Sequence, residues 1–260
     1  VSGPAVNIWK SAFDKTRILS LDEAMDGATG LISGTSYDCQ QEHKARCLAK
    51  KMGIHSIGVV DHWVNYSRRF LYMGKRILPN EIWVVDKEAL KLAKASFKSA
   101  QIKLKPNPYL DDIVYEIRSI DGVRKKNPRA ILYLLEPMRA VWSSDECPGE
   151  FQALDYFIDS IIEIGLGVDP EIRLRPHPSD NPGKYDKWIA QHNDKNITLD
   201  PSEDLASAIA WAQTVVGCET YGMVIALRAN RTVVSSLPPY AHKCSLPHDK
   251  IIHLRDLAAH

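Results

Sequence analysis

One pattern constrains this chain more than any other: short apolar runs alternate with segments of helical periodicity, and the alternation occurs twice. Apolar runs suit strands buried on both faces, and helices between them carry the chain back for the next parallel strand. In the first half the strand candidates are "TGLISG", "SIGVVD" and "EIWVVD", with helix candidates "SLDEAMDG", "QQEHKARCLAKKMG" and "KEALKLAKASF". In the second half the strands are "AILYLLE", "EIRLRP", "NITL", "TVVG" and "TVVSS". The segment "EFQALDYFIDSIIEIG" puts Phe151, Leu154, Phe157, Ile158, Ile161 and Ile162 on one helical stripe. Ser20 with Glu23 three residues on is a capping box, and Gly53 stops the second helix.

Between the halves, "PNPYLDDIVYEIRSIDGVRKKNPR" is rich in proline and charge and ends where a strand begins, so it reads as a boundary. The expected fold is α/β, with two doubly wound Rossmann-like domains over 1–115 and 116–260. Their interdomain cleft would lie at the carboxyl ends of the strands, where open parallel sheets take ligands. No internal repeat or low-complexity segment interrupts this plan. The chain starts at Val1 without a methionine, and "AVNIW" reads as a first strand with little before it. An N-terminal portion is therefore expected to precede it.

Composition narrows the function. The chain has 260 residues, 45% hydrophobic and 25% charged, with a net charge of +1. Nucleic-acid binding normally shows as clustered Lys and Arg. The one dense basic run, "VRKKNPR", reads as a solvated linker. No apolar stretch is long enough for a membrane-spanning helix, which leaves only peripheral membrane association open. Five cysteines without a CxxC pair favour reduced thiols, a cytoplasmic setting and no zinc site. No P-loop, HExxH or GxSxG motif is present, and no metal-ligand set is evident.

Two motifs in the second half carry chemistry. In "RLRPHPSDNPGKY", Arg175 ends a strand and His177 follows it between two prolines that restrict the backbone. Arg175, His177, Ser179 and Lys184 supply donors suited to a phosphate. In "VVGCETYGMVIAL", a strand and Gly217 lead to Glu219 and Thr220 at a helix start. A helix N-terminus can hold an anion, and Glu219 can accept from ribose or sugar hydroxyls.

These paired features resemble the nucleotide half of GT-B-fold glycosyltransferases that use CMP-activated sugars, such as the capsule β-Kdo transferases and several sialyltransferase families. The match consists of "RPHP" at Arg175 to Pro178, "GCETYGMVIAL" at Gly217 to Leu227 and "RTVVSSLPPY" at Arg231 to Tyr240, within roughly 130–250. Glu219 and Thr220 stand where those enzymes commonly show two small hydroxyl residues. The resemblance implies a CMP-sugar as donor substrate, with Kdo or another 2-keto acid sugar as the group transferred, no separate cofactor, and a glycan or glycolipid acceptor.

Glycosyl transfer also needs a base or a nucleophile. In the first half "VVDHWVNYSRRF" puts Asp61 and His62 at a strand end, as catalytic carboxylate and helper. Asp38 and Glu42 compete with Asp61. Trp63 and Tyr66 would stack on sugar faces or, equally, pack in the core. Asn65, Arg68 and Arg69 would contact hydroxyls or an acid group, and Ser36 of "ISGTSYDCQQEHK" and Glu136 at the end of "AILYLLE" join the substrate-binding set. Three rival readings stand beside transfer: polyol-phosphate transfer from a CDP-alcohol, sugar-nucleotide epimerisation, and a non-catalytic nucleotide-sugar-binding module.

Overall fold

The computed structural model describes residues 5–13, 15, 17–36, 39–122, 127–138, 148–161 and 169–257. The chain forms two units, Val1–Pro106 and Asn107–His260. In the first unit, α1 (Ala5–Ala12) and α2 (Leu21–Met25) lead into β1 (Gly30–Ser33), α3 (Gln40–Met52) and β2 (His55–Val60). There follow α4 (Tyr66–Arg69), the hairpin β3 (Leu71–Tyr72) and β4 (Lys75–Arg76), then β5 (Glu81–Val84), α5 (Lys87–Ser96) and β6 (Gln101–Leu104). Strands β1, β2, β5 and β6 make a parallel sheet in that order.

The local signals act as the sequence predicts. Ser20 Oγ accepts from Glu23 N while Glu23 Oε2 accepts from Ser20 N at 2.9 Å, which closes the capping box at α2. Gly53 ends α3 at φ 69, a left-handed conformation that costs glycine little. Phe70 and Phe97 meet edge to face at 5.0 Å in a core with Val60, Ile82 and Val84.

The second unit opens with α6 (Pro108–Asp121) and continues through β7 (Ala130–Leu134), α7 (Gly149–Ser160), β8 (Glu171–Arg175), α8 (Asp186–Gln191) and β9 (Ile197–Leu199). It closes with α9 (Leu205–Trp211), β10 (Thr214–Gly217), α10 (Tyr221–Arg228), β11 (Thr232–Ser235), β12 (Ile252–His253) and α11 (Leu254–Leu257). The six strands form one parallel sheet in the order β12-β11-β10-β7-β8-β9. All five residues of β7 are buried, as a central strand covered on both faces requires. Leu154, Phe157 and Ile158 of α7 pack on it with Ile131, Tyr133 and Leu174. Ile162 lies outside the described residues.

Four sequence expectations change. The first unit is not doubly wound, because its described sheet strands run β1-β2-β5-β6 with no reversal of order, whereas the second unit's sheet does reverse. The segment "AVNIW" is helical rather than a strand, and Phe13 N donates to Trp9 O at 2.9 Å while the two rings meet at 4.8 Å, one turn apart. The stretch read as a boundary contains α6, because Asn107 caps its first turn by accepting from Leu110 N and Pro108 occupies the first turn, where a missing N–H costs nothing. Helix α6 packs on α9, so the units divide at 106/107 and position 115/116 falls inside a helix. Of "VRKKNPR", residues 123–126 lie outside the described set.

Candidate functional sites at the sheet edges

In the first unit the chain leaves β1 through Gly34, Thr35 and Ser36, and leaves β2 at Asp61. The two strands are parallel neighbours, so both exits lie at one edge. A cleft of about 290 Å³ opens there, lined by Gly34, Thr35, Ser36, Glu42, Asp61 and Arg69. Sequence reasoning named four of these as site residues or rivals: Ser36, Glu42, Asp61 and Arg69. Asp61 is exposed, and its carboxylate accepts no hydrogen bond from the described residues.

The rest of the cleft is built around Gly34. A Cβ there would lie 2.3 Å from Glu42 Oε1, so the missing side chain lets that carboxylate rest against the loop, where Glu42 Oε2 accepts from Ser36 N at 2.8 Å. Beneath it lies Arg46, 1% exposed, which sequence reasoning missed. Its Nη1 donates to Gly34 O at 2.9 Å and its Nη2 to Arg69 O at 3.1 Å and His43 Nδ1 at 2.8 Å. Nε has no partner among the described residues, and burial pushes the guanidinium pKa down. Arg69, 7% exposed, donates from Nε to Val64 O and from Nη1 to Thr35 O. Neither arginine is ion-paired to a carboxylate among the described residues.

The remaining first-unit candidates separate into packing and surface. Trp63 and Tyr66 are 4% and 6% exposed, and Trp63 Nε1 donates to the Asp86 carboxylate at 2.9 Å, so both belong to the core and the stacking role is withdrawn. His62 is half-buried, with Nδ1 accepting from Trp63 N at 2.9 Å. Asn65 is exposed at φ 60 just ahead of α4. Asp38 lies outside the described residues.

In the second unit β7 is flanked by β8 on one side and β10 on the other, so the strand order reverses direction at β7 and β10. Such a switch point leaves a crevice at the carboxyl edge. Glu136 follows β7 there, and Glu219 and Thr220 follow β10. Glu136 Oε1 accepts from Glu219 N at 2.6 Å. Burial pushes the Glu136 carboxyl up to about 7; the Glu219 amide opposes the rise and the Glu219 carboxylate adds to it. Glu219 is itself engaged, with Oε1 bonded to His242 Nε2 at 2.8 Å and Oε2 accepting from Ser245 N at 2.9 Å. Thr220 caps α10 by position, with no side-chain bond to the helix.

The "RPHP" turn sits on the neighbouring strand. Leu135 N donates to Arg175 O at 3.0 Å, which extends the β7–β8 pairing and places Glu136 and His177 in adjacent exits. His177 Nδ1 bonds Ser179 Oγ at 2.7 Å, and its Nε2 has no partner among the described residues. Lys184 lies 2.7 Å from both Asp180 and Glu150, and Arg175 lies 2.5 Å from Asp200. Both cations expected to serve as phosphate donors are therefore engaged inside the unit. Burial alone would raise the Asp180 carboxyl, but bonds from Lys184, Tyr185 and the His177 amide hold it below the usual value.

Among the described residues Cys39, Cys47, Cys218 and Cys244 are free thiols, and no helix is long and apolar enough to cross a membrane. No protein-family model matches the chain, and no curated protein does.

Proposed function

We propose that the chain is a two-domain glycosyltransferase of the GT-B class that takes a CMP-activated sugar, a 2-keto acid sugar such as Kdo, and passes the sugar to a surface polysaccharide or glycolipid. The observation that carries this reading is the position of Glu136 and His177 in adjacent exits beside a topological switch point. A protonatable carboxyl pressed toward 7 can both donate to and accept from ribose hydroxyls. His177 offers Nε2 to a phosphate oxygen, and the first amides of α10 behind Thr220 add donors of the same sign. Arg175 and Lys184 hold the turn in shape and leave phosphate contact to the other groups. Asp61 is assigned the proton of the acceptor hydroxyl, since its exposed carboxylate has no competing donor among the described residues.

Calorimetry with CMP and UDP tests the donor class. CMP should bind more tightly than UDP, and His177→Ala should weaken CMP by about 1–3 kcal/mol, the range for a hydrogen bond to a charged group. Asp61→Asn should keep CMP affinity and abolish transfer. Equal affinity of the folded His177→Ala variant removes that residue from the site.

A further inference from the structure

The donor reading leaves the two buried arginines of the first unit without a purpose. A guanidinium removed from water normally has a carboxylate within bonding distance, because an uncompensated buried charge is costly. Arg46 and Arg69 have carbonyl oxygens, one serine hydroxyl and one imidazole instead. Those dipoles satisfy donors without cancelling charge. Arg69 lines the cleft, and its Nη2 has no acceptor among the described residues. A buried cation with a spare donor therefore faces an opening that no described residue fills.

The other lining groups define what could fill it. Glu42 and Asp61 bring two negative charges to the same cleft, so a dianion such as phosphate would meet repulsion that offsets its attraction to Arg69. A monoanion carrying hydroxyl groups meets less of that repulsion. Its carboxylate would accept a charge-assisted bond from Arg69 Nη2, while its hydroxyls donate to Asp61 and Glu42. The volume, about 290 Å³, is at the low end of small-molecule pockets. We propose that this cleft binds a sugar acid, with the acid group on Arg69 and ring hydroxyls on Asp61 and Glu42. Naming it the acceptor rests on the transfer reading above; its existence as a binding site does not.

The test titrates the full chain, without nucleotide, with D-glucuronate, D-glucose and inorganic phosphate, using ligand-observed NMR or calorimetry. Glucuronate should bind saturably, with glucose and phosphate at least tenfold weaker. Arg69→Lys keeps the charge but loses the Nη2 donor, and should weaken glucuronate at least tenfold. Should that variant fail to fold, Asp61→Asn, at an exposed position, should weaken glucuronate several-fold. No saturable glucuronate binding, phosphate binding tighter than glucuronate, or a folded Arg69→Lys or Asp61→Asn with wild-type glucuronate affinity overturns the proposal. A parallel CMP titration separates the two readings. CMP binding without glucuronate binding rejects the sugar-acid site alone, and the reverse rejects the donor assignment alone.

Discussion

The two units differ in how they hold most of their buried positive charge, although half-buried Arg255 in the second is held by the carbonyls of Leu237, Pro238, Ala241 and His242. In the second, Lys184 sits between Asp180 and Glu150, Arg175 meets Asp200, and Arg231, 5% exposed, meets Asp121. In the first, Arg46 and Arg69 are enclosed by carbonyl groups. A cation neutralised by a carboxylate fastens elements together and projects little field. One held by carbonyls keeps its charge available to whatever enters beside it. A buried cation alone therefore marks neither scaffold nor site; its partners, and whether it lines an opening as Arg69 does, make the difference.

Removing a cation from each unit tests that contrast most strongly. Lys184→Met removes the cation between Glu150 and Asp180, whose side chains are 2% and 0% exposed, and should cost about 3–5 kcal/mol in urea unfolding. Arg69→Met loses two bonds to carbonyls but also a buried charge, and should cost about 1–2 kcal/mol. Equal losses would break the comparison.

The next effect is set by pH. Glu136 has its carboxyl raised from 4.5 to about 7, so the folded state favours the neutral form. That stabilisation is complete below the ordinary value and is lost as pH rises through about 7. Glutamine cannot ionise. Glu136→Gln should therefore gain stability relative to the wild type between pH 5 and pH 8, by up to about 3 kcal/mol, read from urea midpoints. A difference that stays flat over this range would mean that Glu136 is not desolvated.

The smallest expected change sharpens the picture of the cleft. In Gly34→Ala the new methyl meets the mobile end of Glu42, which can swing aside, so stability should move by no more than about 0.5 kcal/mol. Glu42 would then leave Ser36 N, and glucuronate affinity should fall. Unchanged affinity would remove Glu42 from the ligand set.

The strands were legible because burial on both faces writes an unbroken apolar run, as in "AILYL" and "TVVG". Elements that mix signals were harder to read. Helix α6 hid behind "PNP", which spells a loop by composition but is a cap followed by a first-turn proline. The β3–β4 hairpin turns on Met73 and Gly74, both at positive φ, and methionine is not a residue from which such a turn is expected. Strand-end positions such as Asp61, Glu136 and His177 were readable, since a parallel sheet sends every strand exit to one edge. Occupancy was not. Asp180 and Lys184 share an i, i+4 spacing that hints at a pair, but Glu150 comes from a distant helix. Arg46 could have been suspected from its place on the α3 stripe with His43 and Ala49, where an apolar residue belongs.

The switch point also has a cost in time. Strand β7 gains β8 as a neighbour after one crossover, but on its other side Ile131 must wait for Thr214, beyond β8, α8, β9 and α9. Until β10 arrives, β7 presents a row of unpaired amides and carbonyls along an apolar edge, the form of backbone that other chains most readily extend. A pairing so remote in sequence is slow to form. The pairing at the switch point thus joins the two neighbouring strands most distant in sequence in this sheet, and long-range pairing of that kind leaves an edge open to misassembly for longest.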